Sequence, residues 1–200
     1  MLVHFIKTRR RRYAVRVERD SGPSVTADPA PGYDDYLPHD LLHFVAEAEW
    51  KIDGGVFGQL ASGSDPGSFL PVDKELVDSW VRKRKIRRKP HSHGRRSEAL
   101  SGVLDSAWKA RTGKAPLPEY WKIQLVAARV EPERLAKVVV SLDDLASRWH
   151  KLQVGASLSL EWPRPERRRQ HRDARAGGSS APTSRRAQGH RKPHDSPRGS

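Results

Sequence analysis

Cysteine is absent from this chain of 200 residues. Its absence excludes disulfides, thiolate metal ligands and thiol nucleophiles, so a metal ion would have to bind through histidine and carboxylate side chains. The chain also lacks an apolar run of about 18 residues, the length that a membrane-spanning helix needs. Its short apolar start, residues 1–6, precedes the first basic cluster, the reverse of the order in a secretory signal. We therefore expect a cytoplasmic protein without a membrane span.

Hydrophobic residues are scarce as well, at 36% of the chain against 31% for charged residues. The shortage is greatest near the end, because residues 163–200 contain no leucine, isoleucine, valine or aromatic residue. A segment of this composition buries too little apolar surface to fold. We therefore predict one folded domain over residues 1–162, followed by a disordered, arginine-rich tail over residues 163–200.

The formal net charge of +14 is concentrated in two segments. The tail has eleven basic and three acidic residues, and residues 82–96 contain nine basic ones, so the rest of the chain is slightly acidic. One interpretation is salt-sensitive binding of nucleic acid or another polyanion, indifferent to base sequence. The alternative is a solvated linker and tail, which the lack of aromatic residues for base stacking favours. The polyanion hypothesis assigns phosphate contacts to Arg82, Lys83, Arg84, Lys85, Arg87, Arg88 and Lys89.

The secondary structure pattern predicts an α+β fold. Residues 2–6 and 13–18 alternate between apolar and polar positions, which is typical of two strands in a hairpin, and residues 156–162 alternate in the same way. We expect these three strands to form a small antiparallel sheet. Residues 21–35 contain many glycines and prolines and are predicted to be a loop.

Three or four helices are predicted to pack on this sheet. One begins at Pro38, another at Ser97 as its N-cap, and the third at Pro132. Residues 55–61 fit a short helix or turn, and residues 72–85 are helical in pattern, with a charged second half that should fray into a basic linker, residues 82–96. Two tryptophans lie on apolar helical stripes and are expected in the core, Trp108 and Trp149.

The helix that begins at Pro38 has the most informative pattern in the chain. On a helical wheel its apolar residues gather on one side, and His39, Asp40, His43 and Glu47 gather on the other. Imidazoles at positions i and i+4 lie on one helix face, close enough to bind one zinc ion together. The sequence therefore indicates a divalent-metal site, with zinc as the expected ion and His39 and His43 as ligands.

Two carboxylates on the same stripe would complete this site. Glu47 lies one turn beyond His43 and is a candidate third ligand. Asp40 would act as a ligand, orient an imidazole or serve as a base toward bound water. The alternative interpretation is a structural or otherwise ordinary polar face on an amphipathic helix, without any metal.

Three stretches of the chain resemble a family of small uncharacterised bacterial proteins from GC-rich genomes. They are PHDLLHFV at 38–45, GVFGQLA at 55–61 and GASLSLEWP at 155–163. The resemblance covers most of residues 1–163, and it implies no activity.

A local similarity extends to the Coq4-type proteins of ubiquinone biosynthesis, whose zinc motif runs His-Asp-x-x-His and then, after a spacer, Gly-Glu. His39, Asp40 and His43 match the first part, and Gly58-Gln59 falls where Gly-Glu is expected, after a spacer several residues longer. This similarity implies a zinc site with Gln59 as an additional ligand, although a neutral amide is a poorer ligand than a carboxylate.

Overall fold

The computed structural model describes residues 1–32, 35–87 and 93–163, and for residues 84–87 and 93 it describes the backbone alone. The predicted tail therefore lies outside the described residues from residue 164 onward. Within the described ranges the chain folds as predicted, into an antiparallel sheet with helices packed against it.

Five antiparallel strands form the sheet, in the order β4-β3-β2-β1-β5. The strands are β1 (Leu2–Arg9), β2 (Arg12–Glu18), β3 (Val25–Ala27), β4 (Leu70–Pro71) and β5 (Ser157–Glu161). The predicted hairpin and terminal strand are confirmed: β1 pairs with β2 on one side and with β5 on the other, so that Phe5 lies between Val15 and Leu158. β3 lies in the segment predicted to be a loop, where only three residues pair.

The described ranges contain six α-helices besides the sheet, more than the three or four predicted. They are α1 (His39–Trp50), α2 (Val56–Ala61), α3 (Val77–Arg87), α4 (His93–Arg111), α5 (Trp121–Ala128) and α6 (Pro132–Lys151). A 3-10 helix, Lys74–Leu76, precedes α3. In this part of the chain, no helix combines the length and the apolar character that crossing a bilayer requires.

Two predicted helix boundaries are wrong. Ser97 was expected to be an N-cap, but α4 begins one turn earlier, so Ser97 lies inside the helix and is buried. The charged second half of the helix after residue 72 was expected to fray, but α3 continues to Arg87. Arginine and lysine are good helix formers, so a run of them does not by itself end a helix.

The core places α1 between the sheet and α4. Phe44 of α1 contacts Phe5 of the sheet edge-to-face, with ring centroids 6.0 Å apart, and it contacts Phe57 of α2 at 5.3 Å. On its other side α1 packs along α4, where His43 meets Ser97. Trp108 and Trp149 are both buried, as predicted. Because α1 is enclosed in this way, most of its polar side chains are also enclosed.

Gly58 brings α2 close to the turn that follows α1. A Cβ atom at this position would overlap the carbonyl oxygen of Ile52 and lie 2.6 Å from the Cα of Asp53. Both atoms belong to the backbone and cannot move aside as a flexible side chain can. Gly94 in α4 is the opposite case, since an added Cβ would meet no atom of the described residues within 4 Å.

We predict that Gly58→Ala and Gly94→Ala change stability in opposite directions. Alanine is the better helix former by about 0.5–1 kcal/mol, so Gly94→Ala should raise the free energy of unfolding by up to that amount. Gly58→Ala should lower it by about 1–3 kcal/mol, because the backbone of α2 must move away. Urea denaturation of the two variants provides the measurement, and stabilisation by both would show that α2 does not pack against residues 52 and 53.

Candidate metal centre

Three of the four side chains on the polar stripe of α1 are buried. Asp40, His43 and Glu47 are each less than a tenth exposed, and Glu47 is completely enclosed. These three side chains therefore do not form an outward face, and a structural role for them remains the alternative to metal binding. The sheet, α2 and α4 each cover part of the stripe, and burial of so many polar groups requires that each one has a hydrogen-bond partner.

The two imidazoles come together as predicted, and a carboxylate from α4 joins them. The Nε2 atoms of His39 and His43 lie 3.0 Å apart. Glu98 places one oxygen 3.6 Å from Nε2 of His43 and the other 3.9 Å from Nε2 of His39. Among the described residues, these three form the one group of His, Asp or Glu side chains whose ligand atoms lie close enough together to hold a metal ion.

The spacing of these atoms is close to what zinc requires. Two nitrogens bound at 2.0–2.1 Å in a tetrahedral site lie about 3.3 Å from each other. The distance between the two Nε2 atoms is slightly shorter, and the distances from Glu98 to the imidazoles are slightly longer. Small side-chain rotations would therefore bring all three groups to one ion.

Ser97 fixes the orientation of His43. Its hydroxyl donates to Oε1 of Glu47 at 2.7 Å, and its oxygen lies 2.8 Å from Nδ1 of His43. Since the one hydroxyl hydrogen goes to Glu47, Nδ1 of His43 must be the donor to Ser97. The Nε2 atom of His43 then carries the lone pair that faces His39 and Glu98. This tautomer is the one that a metal ligand at Nε2 needs.

Glu47, predicted as the third ligand, is engaged elsewhere. Its carboxylate accepts hydrogen bonds from the backbone N–H groups of Val56, Phe57 and Gly58 at 2.8–3.1 Å, which are the first N–H groups of α2. Together with Ser97 these donors give each oxygen two hydrogen bonds. The carboxylate therefore caps α2 and supports His43 from behind.

Gly55 makes this cap possible. It precedes α2 with an ordinary backbone conformation, so its φ angle does not require glycine. The requirement is space, because a Cβ atom at residue 55 would overlap the carboxylate of Glu47. Close packing thus explains both glycines of the stretch at 55–61, since Gly55 lies against the carboxylate of Glu47 and Gly58 lies against the backbone that follows α1.

Asp40 is also directed away from the imidazole pair. Its Oδ2 lies 2.9 Å from the hydroxyl of Tyr13 on β2, and its backbone N–H donates to the same hydroxyl at 3.2 Å. That hydroxyl lies 2.9 Å from the carbonyl oxygen of Pro31 as well. Asp40 therefore joins the start of α1 to the sheet and to the loop before the helix, and its role is that of an anchor.

The pKa values of these groups reflect their burial. Burial, with a smaller contribution from the nearby His39, lowers the pKa of His43 to about 4, so that its imidazole is neutral at pH 7. Burial raises the pKa of Asp40, and the hydrogen bond from Tyr13 opposes this effect. Burial likewise raises the pKa of Glu47, while its four donors favour the carboxylate. A proton on Glu47 would have to displace one of these donors.

The remaining predicted site residues lie apart from this group or outside the described residues. The side-chain amide of Gln59 donates to the carbonyl of Gly54 at 3.1 Å, at the start of its own helix. Arg82 and Lys83 are exposed on α3. The side chains of Arg84, Lys85 and Arg87, and all of Arg88 and Lys89, are outside the described part, so polyanion binding by this segment stays a prediction.

Glu98 is the residue that the sequence did not identify. It is exposed, it lies 55 positions after His43, and glutamate is an ordinary residue on a helix surface. An indirect signal exists in its neighbours Ser97 and Ser101, which fall on the apolar stripe of α4 that contains Leu104 and Trp108. Both serines are buried. Small polar residues at buried helix positions indicate polar partners on the facing helix.

Comparison of this chain with protein-family models, with curated proteins and with solved structures gave no match in any of the three cases.

We predict that Glu47→Gln destabilises the metal-free protein and that Glu98→Gln does not. The amide nitrogen of a glutamine at residue 47 would face N–H donors, so the free energy of unfolding should fall by about 2–3 kcal/mol. Glu98 is 68% exposed, and its replacement should change that energy by less than about 0.5 kcal/mol. Urea denaturation in the presence of EDTA measures both. Equal effects of the two substitutions would contradict the role of Glu47 as a cap.

We also predict that His43 makes the metal-free protein less stable in acid. Between pH 6.5 and pH 4 the unfolded chain binds a proton on this imidazole and the folded chain does not, so stability falls as pH falls through this window. The loss should approach about 3 kcal/mol at pH 4. The raised pKa values of Asp40 and Glu47 act in the opposite direction, because there the folded state binds protons more readily.

The contribution of His43 is isolated by comparison with His43→Gln, which retains both acids. Denaturation curves in EDTA at a series of pH values should show a steeper loss for the wild type than for the variant. Parallel curves would mean that His43 is not buried in its neutral form.

Proposed function

We propose that this protein binds one divalent metal ion, with zinc preferred, through Nε2 of His39, Nε2 of His43 and a carboxylate oxygen of Glu98. The observation that carries the proposal is the convergence of these three side chains: the two Nε2 atoms lie 3.0 Å apart, one oxygen of Glu98 lies 3.6 Å from Nε2 of His43, and the other lies 3.9 Å from Nε2 of His39. Two imidazoles and a carboxylate form a donor set that suits zinc well. The ligand pair on α1 is the predicted one, and the third ligand differs from the predicted Glu47.

The arrangement around His43 supports this proposal. An imidazole binds a metal ion only in its neutral form, and burial keeps His43 neutral. Its other nitrogen is held by Ser97, which is held in turn by Glu47. Metal-binding histidines commonly have such a hydrogen-bonded partner with a carboxylate behind it, because the partner orients the ring and raises its basicity.

The exposure of the other two ligands leaves one side of the site open. The side chains of His39 and Glu98 are 42% and 68% exposed, whereas that of His43 is 5% exposed. Three protein ligands with an open fourth position are typical of catalytic zinc sites, whereas structural sites are closed by four. A zinc ion in such a site lowers the pKa of a bound water molecule, which is the chemistry that the ion would supply here.

The proposal predicts one tight zinc site that depends on both helices. Calorimetric titration of the full chain, freed of metal, should give binding that His39→Ala and Glu98→Gln each weaken by more than about 100-fold, since removal of an outer hydrogen-bond partner alone costs about 10–100-fold. Binding of Co²⁺ should in addition produce the intense visible absorption of a tetrahedral site, and both substitutions should abolish it.

Matched substitutions control for weak binding to other histidines and acids. His150→Ala at the end of α6 and Glu133→Gln in its first turn alter exposed residues outside the group, and both should leave the affinity unchanged. Binding that survives His39→Ala and Glu98→Gln, or the absence of any zinc binding in the wild type, would overturn the proposal.

A further inference from the structure

An apolar groove lies between α4, α5 and α6, on a part of the protein that the metal centre does not use. Its volume is about 720 Å³. The residues of α4 that line it are Ala107 and Arg111, and the first of these lies about 13 Å along the helix from Glu98. α5 and α6 supply most of the lining, with side chains such as Leu125, Val126, Leu135 and Val139.

Part of the apolar lining of the groove is exposed to solvent. Val126 is 78% exposed and Val140 is 56% exposed, and both line it. A concave site of several hundred cubic ångströms, lined mostly by apolar side chains with a few polar groups, has the usual properties of a small-molecule site. The size and lining of the groove therefore indicate a ligand with a substantial apolar part.

The charged side chains that line the groove indicate the charge of the ligand that it would bind. Arg111 forms an ion pair with Asp143, and Glu131 accepts a hydrogen bond from the indole of Trp50. The side chain of Arg129 also lines the groove, and within the described part of the chain it has no ion-pair partner. A guanidinium beside an apolar surface suits a ligand with one negative charge, and the nearby carboxylate of Glu131 disfavours a second one.

The protein's own tail is unsuited to this groove. Residues 163–200 contain no leucine, isoleucine, valine, methionine, phenylalanine, tyrosine or tryptophan, so they have little apolar surface to bury there.

The length of the groove indicates the length of the ligand. The lining residues of α6 run from Pro132 to Val140, which corresponds to about 12 Å. An extended chain advances about 1.2 Å per bond, so a linear chain of about ten bonds spans that length.

We propose that this groove binds an amphiphilic monoanion, with a linear alkyl chain lying between α5 and α6 and a carboxylate head paired with Arg129. The apolar lining supplies affinity in proportion to the chain length that it buries. Arg129 distinguishes the carboxylate from a neutral head group, because a charged hydrogen bond is stronger than a neutral one. This site is independent of the proposed metal centre.

Decanoate and decanol, which share a chain and differ in the head group, are the probes for this site. Both would be titrated into the full chain carrying ¹³C-labelled methyl groups, at concentrations below micelle formation. Decanoate should cause saturable shifts of the methyl signals of Leu125, Val126, Val139 and Val140, and it should bind about tenfold more tightly than decanol.

Two variants separate the head group from the chain. Arg129→Gln should reduce the affinity for decanoate about tenfold and leave that for decanol unchanged. Ala136→Trp fills the groove from an exposed position and should abolish binding of both probes, whereas Lys137→Trp, at an exposed position outside the lining, should affect neither.

Several outcomes would overturn this proposal. Equal affinities for the two probes, or binding that survives Ala136→Trp, would remove the assignment. The absence of saturable shifts would do the same. Shifts of the same methyl groups that depend on protein concentration instead of decanoate would identify a second copy of the chain as the occupant.

Discussion

The buried carboxylate of Glu47 is the interaction on which the arrangement of the helices depends. It belongs to α1, accepts three backbone N–H groups at the start of α2 and accepts the hydroxyl of Ser97 from α4. A carboxylate without hydrogen-bond partners would be too costly to bury. The three helices must therefore pack in the one relative arrangement that supplies all four hydrogen bonds. The glycine at residue 55 is part of the same constraint, because any side chain there would occupy the place of the carboxylate.

The hydrogen bonds of Glu47 also determine which ring nitrogen of His43 is the acceptor. Glu47 takes the hydroxyl hydrogen of Ser97, Ser97 then accepts from Nδ1 of His43, and Nε2 is left as an acceptor. In the metal-free protein that acceptor lies 3.0 Å from Nε2 of His39, which must then be the donor. A metal ion would replace the single proton between the two rings. The hydrogen-bond chain therefore holds Nε2 of His43 in the form that the proposed metal site requires.

The sequence predicted the local elements well, because their signals are local. Pro38 and the apolar stripe gave α1, and alternation gave the strands that pair at the centre of the sheet. It did not predict that the polar face of α1 is covered, since this depends on α4 packing against it from about 55 residues further along the chain. A stripe of His, Asp and Glu looks the same whether water or another helix lies over it. The third ligand was assigned to Glu47 for that reason, whereas the packing places Glu98 beside the imidazoles.

The four side chains on the polar stripe of α1 have different roles, which follow from the contacts that each one makes. Asp40 and Glu47 are buried and make hydrogen bonds to the sheet and to α2, so both hold the helix in place. His43 has one nitrogen in that interior and the other at its edge, and His39 lies beyond it near the solvent. A ligand that must receive an ion from water needs an accessible atom, and a ligand that must keep its geometry needs a buried partner. His43 meets both requirements in the proposed metal site, because Nδ1 is held by Ser97 and Nε2 faces His39 and Glu98.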